Sequence, residues 1–270
     1  MTGFTPGWLA LREPADAEAR ALDLLDRVRA DLKGADRLVI SDLGCGTGSM
    51  GRWLAGRLPG PQHWIMYDHD ADLLAYAAAT MSRTAGDGAP VTVETRRHDI
   101  GRLTVGNLTG STLVTASALL DLLTADEVRG LAAACAGAGC AALLTLSVAG
   151  QVQLSPAEPF DSEVAGAFNA HQRRSVGGRR LLGPDAVDAA TEAFAQLGAT
   201  VQVSPSPWRL GPDRAELIAT WLEGWVAAAC EQRADLVPEA APYLRRRLAA
   251  SAAGDLRVVV QHSDLYAKFE

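Results

Sequence analysis

The run Val39-Ile40-Ser41-Asp42-Leu43 passes directly into Gly44-Cys45-Gly46-Thr47-Gly48, and then into the amphipathic segment Ser49–Leu58. No other feature limits the fold as tightly. Glycine reaches positive φ and puts no Cβ in the path of a ligand. A helix starting near Ser49 turns its free N–H groups and positive dipole end toward the turn. A strand tip, a ligand-sized gap and a helix start therefore meet at one point.

The rest of the chain repeats that alternation. An amphipathic helix is predicted over Ala15–Leu32, ending at Gly34. Strands are predicted at Arg37–Leu43, Gln62–Asp68, Val91–Asp99, Ser111–Ser117 and Cys140–Val148. Helices fall between them at Ser49–Leu58, Ala71–Arg83 and about Thr124–Ala136. Strands alternating with helices imply a parallel sheet between helical layers, with ligands at the carboxyl ends of the strands. After Gly150 the rhythm changes. Loop and helix run to Pro184, followed by a helix at Asp185–Leu197 and a strand at Thr200–Ser204. A largely helical stretch from Arg214 to Ala253 precedes a final strand, Leu256–His262. No repeat or long linker divides the 270 residues, so a single domain is expected.

Composition excludes several classes. A net charge of −7 lacks the basic surplus of a nucleic-acid binder. The residues from Leu131 to Ala157 carry no charge, but Gly137, Gly139, Gly150 and Pro156 break them, so they read as a helix end and a buried strand rather than a membrane span. Cys45, Cys135, Cys140 and Cys230 form no C-x-x-C pair, so reduced thiols are expected rather than a zinc site or disulfide framework. The opening segment has no basic start before an apolar core, so no secretory signal and a cytoplasmic location are expected.

Three acids follow three successive strands: Asp42, Asp68 and Asp99. A dinucleotide-binding pattern fits only Gly46, Gly48 and Gly51, a register that starts four residues beyond Asp42. An acid just before the glycines repels a pyrophosphate and suits a ligand bearing an ammonium or sulfonium. Asp68 is placed to accept from ribose hydroxyls, and Asp99 from an adenine amino group. The alternative for Asp68 and Asp99 is that each caps the turn or helix after it.

The segments Asp42–Gly48, Tyr67–Asp70 and His98–Ile100, at these spacings, resemble the first motifs of class I S-adenosylmethionine-dependent methyltransferases. The resemblance covers about residues 37–150. It implies an α/β, Rossmann-like, doubly wound sheet of seven strands, mostly parallel with an antiparallel last strand, plus helical insertions. It implies S-adenosyl-L-methionine as cofactor, with S-adenosyl-L-homocysteine as product. Asp42, Gly44, Cys45, Gly46 and Gly48 would lie near the methionine moiety. Asp68 with His69 would hold the ribose, and Asp99 with Ile100 the adenine. The stretch Thr115–Leu123 resembles the motif after the fourth strand, which implies Ser117 and Ala118 at the donor, and Leu120 and Asp121 toward the acceptor. Residues 1–36 would form an N-terminal helical lid, and insertions at 151–184 and 210–254 would shape the acceptor site.

The acceptor is narrowed by elimination. No Asn/Asp-Pro-Pro-aromatic turn follows the fourth strand, as nucleic-acid amine methylation would require, and no Pro-Cys nucleophile for cytosine carbon. Lys33 and Lys268 are the only lysines, which rules out a two-lysine ribose site, and Asp121 alone does not build a metal-dependent catechol site. Metal-free transfer to a small molecule remains, and an oxygen or nitrogen acceptor carrying a negative group is expected. His171 is the candidate base, having an ordinary pKa near neutrality. Asn169 and Gln172 are candidates to orient the acceptor. Arg173, Arg174, Arg179 and Arg180 are candidates to clamp a carboxylate or phosphate. Trp208 and Arg209 are placed to bracket it, and Trp8, Arg12 and Arg20 to meet it or the donor carboxylate. Trp221 and Trp225 read as core or a homodimer contact. Two rival readings are a regulatory protein that binds the donor without transfer and an NAD-dependent oxidoreductase.

Overall fold

The computed structural model describes residues 5–270. Strands β1 (Leu38–Leu43), β2 (Gln62–Asp68) and β4 (Leu113–Ser117) are buried along nearly their whole length. This is the pattern of parallel strands covered on both faces. β3 (Val91–Arg97) closes one edge and is mostly exposed. β5 (Ala141–Ser155) lies parallel to β4, and the terminal strand β10 (Arg257–Lys268) runs antiparallel beside β5. β8 (Thr200–Pro205) and β9 (Trp208–Leu210) both pair with β10. The sheet order is β3-β2-β1-β4-β5-β10-β8, with β9 also on β10. The order reverses between β1 and β4, where the ligand crevice of an open α/β sheet lies.

The sheet has eight strands, not the expected seven. The reason is the length of β10. β8 covers only Ser263–Lys268, and the half of β10 that precedes it takes β9 at Val258–Val260. Ser206 and Pro207 separate the two edge strands, and the Ser206 amide still donates to the His262 carbonyl.

Helices α2 (Leu22–Asp31), α3 (Ser49–Ala55) and α4 (Ala71–Thr80) cover one face through Leu25, Val28, Trp53, Leu54 and Leu74. Helices α5 (Val105–Leu108), α6 (Ala125–Ala138) and α8 (Ala186–Gln196) cover the other through Leu108, Val128, Leu131 and Phe194. A third core forms beyond the sheet. There α1 (Pro6–Ala19), α7 (Phe160–Gln172), α9 (Ala215–Gln232) and α10 (Val237–Ala252) pack on β9 and the first half of β10 around Trp208, Trp225 and Tyr243. A two-stranded hairpin, β6 (Ser175–Val176) and β7 (Arg179–Arg180), follows α7. The uncharged run becomes the end of α6 and the whole of β5, and no helix among the described residues is long and apolar enough to cross a membrane.

The single helix expected over Ala15–Leu32 is two helices, broken at Arg20 and Ala21. Asp264 is the reason. Its buried carboxylate accepts the Ala21 amide at 2.9 Å and the Leu146 amide at 2.7 Å. One β10 side chain thus fixes the start of α2 and a left-handed residue of β5, Leu146 at φ +56°. Asp264→Ala leaves both amides buried without an acceptor, which costs about 1–3 kcal/mol for each. A loss of about 3 kcal/mol in urea-unfolding free energy is expected, and no loss would show that this carboxylate does not organise the break.

Candidate functional site

Gly44, Gly46 and Gly48 all adopt positive φ, at +60°, +53° and +84°. Asp68, at the tip of β2, anchors the turn. Its Oδ2 accepts the Gly46 amide at 2.9 Å and its Oδ1 the Asp70 amide at 3.0 Å. A carboxylate has about four lone-pair sites, so Asp68 keeps acceptor capacity for a ligand. His69 is exposed, its Nδ1 3.3 Å from the same carboxylate. A Cβ at Gly44 would stand 3.0 Å from Leu119 Cδ1, and one at Gly46 would stand 3.3 Å from Leu9 Cδ1. Leu9 brings α1 across the turn, and the Arg52–Glu13 ion pair (Nε to Oε1 2.8 Å) latches α1 to α3. The Cys45 thiol is buried, which pushes its pKa up and keeps it protonated.

Beneath this turn lie two buried charges with open valences. Asp42 is wholly buried; Oδ1 accepts the Thr115 hydroxyl at 2.7 Å, and Oδ2 has no partner. Burial pushes its carboxyl up to about 7; the Thr115 hydrogen bond and the Arg20 charge oppose that shift, and Asp68 adds to it. Arg20 donates from Nη2 to Ser117 Oγ at 3.2 Å and lies over the Trp53 ring at 5.1 Å, while its Nε and Nη1 have no partner. Burial lowers its pKa, although Asp16, Asp264 and Asp42 supply negative charge. Strand register puts Asp42 level with Thr115 and brings Ser117 to the adjoining tip. One vacant acceptor beside two vacant donors complements a ligand bearing both an ammonium and a carboxylate. Left unmade, such bonds cost about 1–3 kcal/mol each.

Asp99 is a turn cap. Its Oδ1 accepts the Gly101 amide at 3.0 Å, and it stays exposed beside half-buried Ile100.

A second space opens past the tip of β4, a cavity of about 250 Å³. It brings together Trp8 and Arg12 of α1, Ala118 and Asp121, His171, Gln172 and Arg174, and Trp208. Arg12 is held by Asp16 (Nε to Oδ2 2.9 Å), which also accepts the Trp208 indole N–H at 2.9 Å. Asp121 is lifted to about 6 by burial, opposed by a backbone hydrogen bond and the Arg12 charge. His171 Nε2 lies 3.1 Å from Glu231 Oε2, and its Nδ1 lies 3.2 Å from Arg174 Nη1. An arginine only donates. Nδ1 is therefore the accepting nitrogen and Nε2 carries the proton toward Glu231. In this geometry His171 offers no free lone pair as a base.

The other expected acceptor residues lie elsewhere. Leu120 is core, and Asn169 Nδ2 donates to the Gly150 carbonyl at 2.7 Å. Arg209 faces solvent, opposite Trp208 on β9. Arg173 grips Asp185 with two bonds of 2.6 Å, and Arg179 grips Glu127 at 2.9 and 2.6 Å. These pairs border a larger cavity of about 550 Å³ at the start of α6, whose lining includes none of Gly44, Gly46 and Gly48. The arginine clamp is thereby broken up, because two of its members are already matched by acids. Sequence reasoning missed His262 and Val260, which reach the cavity from β10, and Trp221 from α9. The signal for His262 was a lone histidine closing an apolar strand; its register opposite Val148 was not legible.

Residues 40–138 match the family model described as a methyltransferase domain. The fold is similar to that of the cyclopropane synthase MmaA2 from Mycobacterium tuberculosis, at 12% identity over 98% of this chain and 95% of that one, with a TM-score of 0.52. It is also similar to the YcgJ protein from Bacillus subtilis, at 12% identity over 93% of this chain and 100% of that one, with a TM-score of 0.51. No curated protein matches the chain.

The fold is Rossmann-like, and residues 40–138 within it match a methyltransferase domain. The turn after β1 meets the loop past β4 where Gly44 packs against Leu119, and the tip of β4 is strained. Ala118 sits at φ +52°, its amide held by the Thr145 carbonyl at 2.9 Å. A left-handed conformation costs a non-glycine residue about 1–2 kcal/mol. Ala118→Gly is therefore expected to stabilise the protein by about 0.5–1 kcal/mol after the added unfolded-state entropy. A lowered melting temperature by calorimetry would contradict the strain.

Proposed function

We propose that the protein binds S-adenosyl-L-methionine and transfers its methyl group, without a metal, to an oxygen or nitrogen of a small molecule. The observation that carries this reading is the vacant Arg20–Asp42 pair beneath a glycine turn anchored by Asp68. Arg20 would take the donor carboxylate, Asp42 the ammonium and Asp68 the ribose hydroxyls. The bound donor supplies a methyl group already activated on a sulfonium. The chain's task is then to align the acceptor and exclude water, and orientation of this kind is worth effective molarities of about 10⁵–10⁸ M.

Of the expected N-terminal lid 1–36, residues 1–4 lie outside the described residues; the rest acts in this reading as the lid, with Leu9 over the turn and Glu13 as its latch. The insertions shape the acceptor side. His171, Gln172 and Arg174 come from 151–184, and Trp221 comes from 210–254. An open cavity beyond the β4 tip favours transfer over binding alone, and the vacant Asp42 oxygen disfavours a pyrophosphate and hence NAD. The anionic acceptor expected from the arginines loses support, because Arg12, Arg173 and Arg179 are each spent on a carboxylate.

Arg20→Met tests the donor site. Removing one member of a buried charge cluster leaves Asp42 and Asp264 without their cation and costs about 3–5 kcal/mol, so the folding stability should fall. S-adenosylhomocysteine affinity by calorimetry should fall about 10- to 100-fold, the worth of charged hydrogen bonds of about 1.5–3 kcal/mol. A purely structural arginine would lower stability and leave the affinity of the folded protein unchanged.

The Asp42 carboxyl adds a pH dependence. Ligand-free, it holds its proton up to about 7, with Arg20, Asp68 and Cys45 as its charged or titratable neighbours. The ammonium of S-adenosylhomocysteine favours the ionised form. Affinity should be full above about 7 and weaken up to about tenfold per pH unit below it. Asp42→Asn should flatten that profile, and an unaltered slope would exclude Asp42 from the binding event.

A further inference from the structure

The geometry points to a neutral, single-ring aromatic molecule bearing a hydroxyl or amino group as the methyl acceptor, with Asp121 receiving the proton it loses. This rests on the donor reading above.

Size comes first. A dry cavity of about 150 Å³ holds benzene, so about 250 Å³ holds one ring with a few substituents. The walls come next. Trp8, Trp208, Trp221 and Phe168 line the space with Val148 and Val152. Offset or edge-on ring contacts add about 0.5–1.5 kcal/mol beyond area burial.

Charge then selects a neutral ring. A cation is disfavoured by the Arg12 guanidinium, which already lies 5.9 Å from the Trp8 centroid and 5.0 Å from that of Trp208. Trp221 stacks on Trp225 at 5.0 Å. An anion is opposed by the Asp121 carboxylate and meets an Arg12 already held by Asp16, although Arg174, bonded only to the ring and carbonyl of His171, keeps its charge on the cavity wall.

A vacant polar atom asks for a donor. Gln172 and His262 line the cavity, and Gln172 Oε1 is buried without a partner. Burial and the Arg12 charge push His262 down to about 3, which keeps its ring neutral. With the Asp121 carboxylate, these groups suit an incoming O–H or N–H.

Asp121 is placed for the proton. It lies in the turn Leu120–Leu122 immediately past the β4 tip, where Ser117 bonds Arg20 on the donor side and Ala118 borders the cavity. The donor and acceptor spaces therefore meet within residues 117–121. The charged and titratable groups facing Asp121 across the cavity are Arg12 from α1, His171 from α7, Arg174 after it, and His262 from β10. In the step, the ring oxygen or nitrogen bonds to the methyl carbon as the carbon–sulfur bond breaks, with that electron pair staying on sulfur. The proton of the nucleophile ends on Asp121. A sulfonium and a carboxylate become a thioether and a carboxylic acid, so charge balances.

The test uses phenol, aniline, benzoate and cyclohexanol at millimolar concentration, with S-adenosylhomocysteine saturating, read by tryptophan fluorescence and calorimetry. Phenol and aniline should bind more tightly than benzoate and cyclohexanol, and Trp221→Ala should weaken phenol about tenfold, or about 1.4 kcal/mol. Should that variant fail to fold, the ranking on the unaltered protein decides. With S-adenosylmethionine, Asp121→Asn should slow phenol methylation about 10²–10⁴-fold with phenol affinity nearly unchanged. It should spare 4-nitrophenol at mildly alkaline pH, where that acceptor is already ionised. Benzoate binding best, no phenol binding, or an equal loss with 4-nitrophenol overturns this inference alone. Failure of S-adenosylhomocysteine to bind overturns the donor reading and this inference with it.

Discussion

The structure turns on burying Arg20 among Asp42, Asp16 and Asp264 while leaving part of its hydrogen-bonding capacity unused. An enclosed guanidinium survives only with nearby negative charge. That charge comes from segments far apart in the chain: α1, the tip of β1 and the terminal strand. One of these acids, Asp264, also accepts the amides at the break between α1 and α2 and at the left-handed Leu146, and so ties both to the charge cluster. The fold and the candidate donor site are in this sense one arrangement.

The same arrangement divides the crevice. On one side the glycine turn, Asp42, Asp68 and Arg20 offer polar atoms that the protein does not fully satisfy by itself. On the other, the third core delivers aromatic rings and a neutral histidine to a space beyond the β4 tip. Residues 117–121 are the wall between them: Ser117 faces the donor side, and Ala118 and Asp121 the acceptor side. The lid joins both. Leu9 covers the turn, while Arg12, one helical turn along in α1, borders the acceptor cavity.

The alternating half of the chain was legible because apolar runs and glycine punctuation are local. β1, β2 and the turn at Gly44–Gly48 lie within a residue or so of their expected positions. The insertions were legible only as composition. The arginines after α7 looked like an anion clamp because a sequence does not reveal that Asp185 and Glu127 fold onto them. His171 looked like a free base for the same reason, its nitrogens being occupied by Glu231 and Arg174.

The sequence by itself determined the glycine turn, the acids at successive strand tips and the alternating sheet, since each depends on neighbours a few residues away. Tertiary structure alone decided which charges are spent and which stay vacant: Arg20 open, Arg173 closed, Asp121 lifted among rings. The physical reason is that a side chain's charge state and spare hydrogen bonds depend on burial and on partners brought from distant parts of the chain, and no local pattern encodes that pairing.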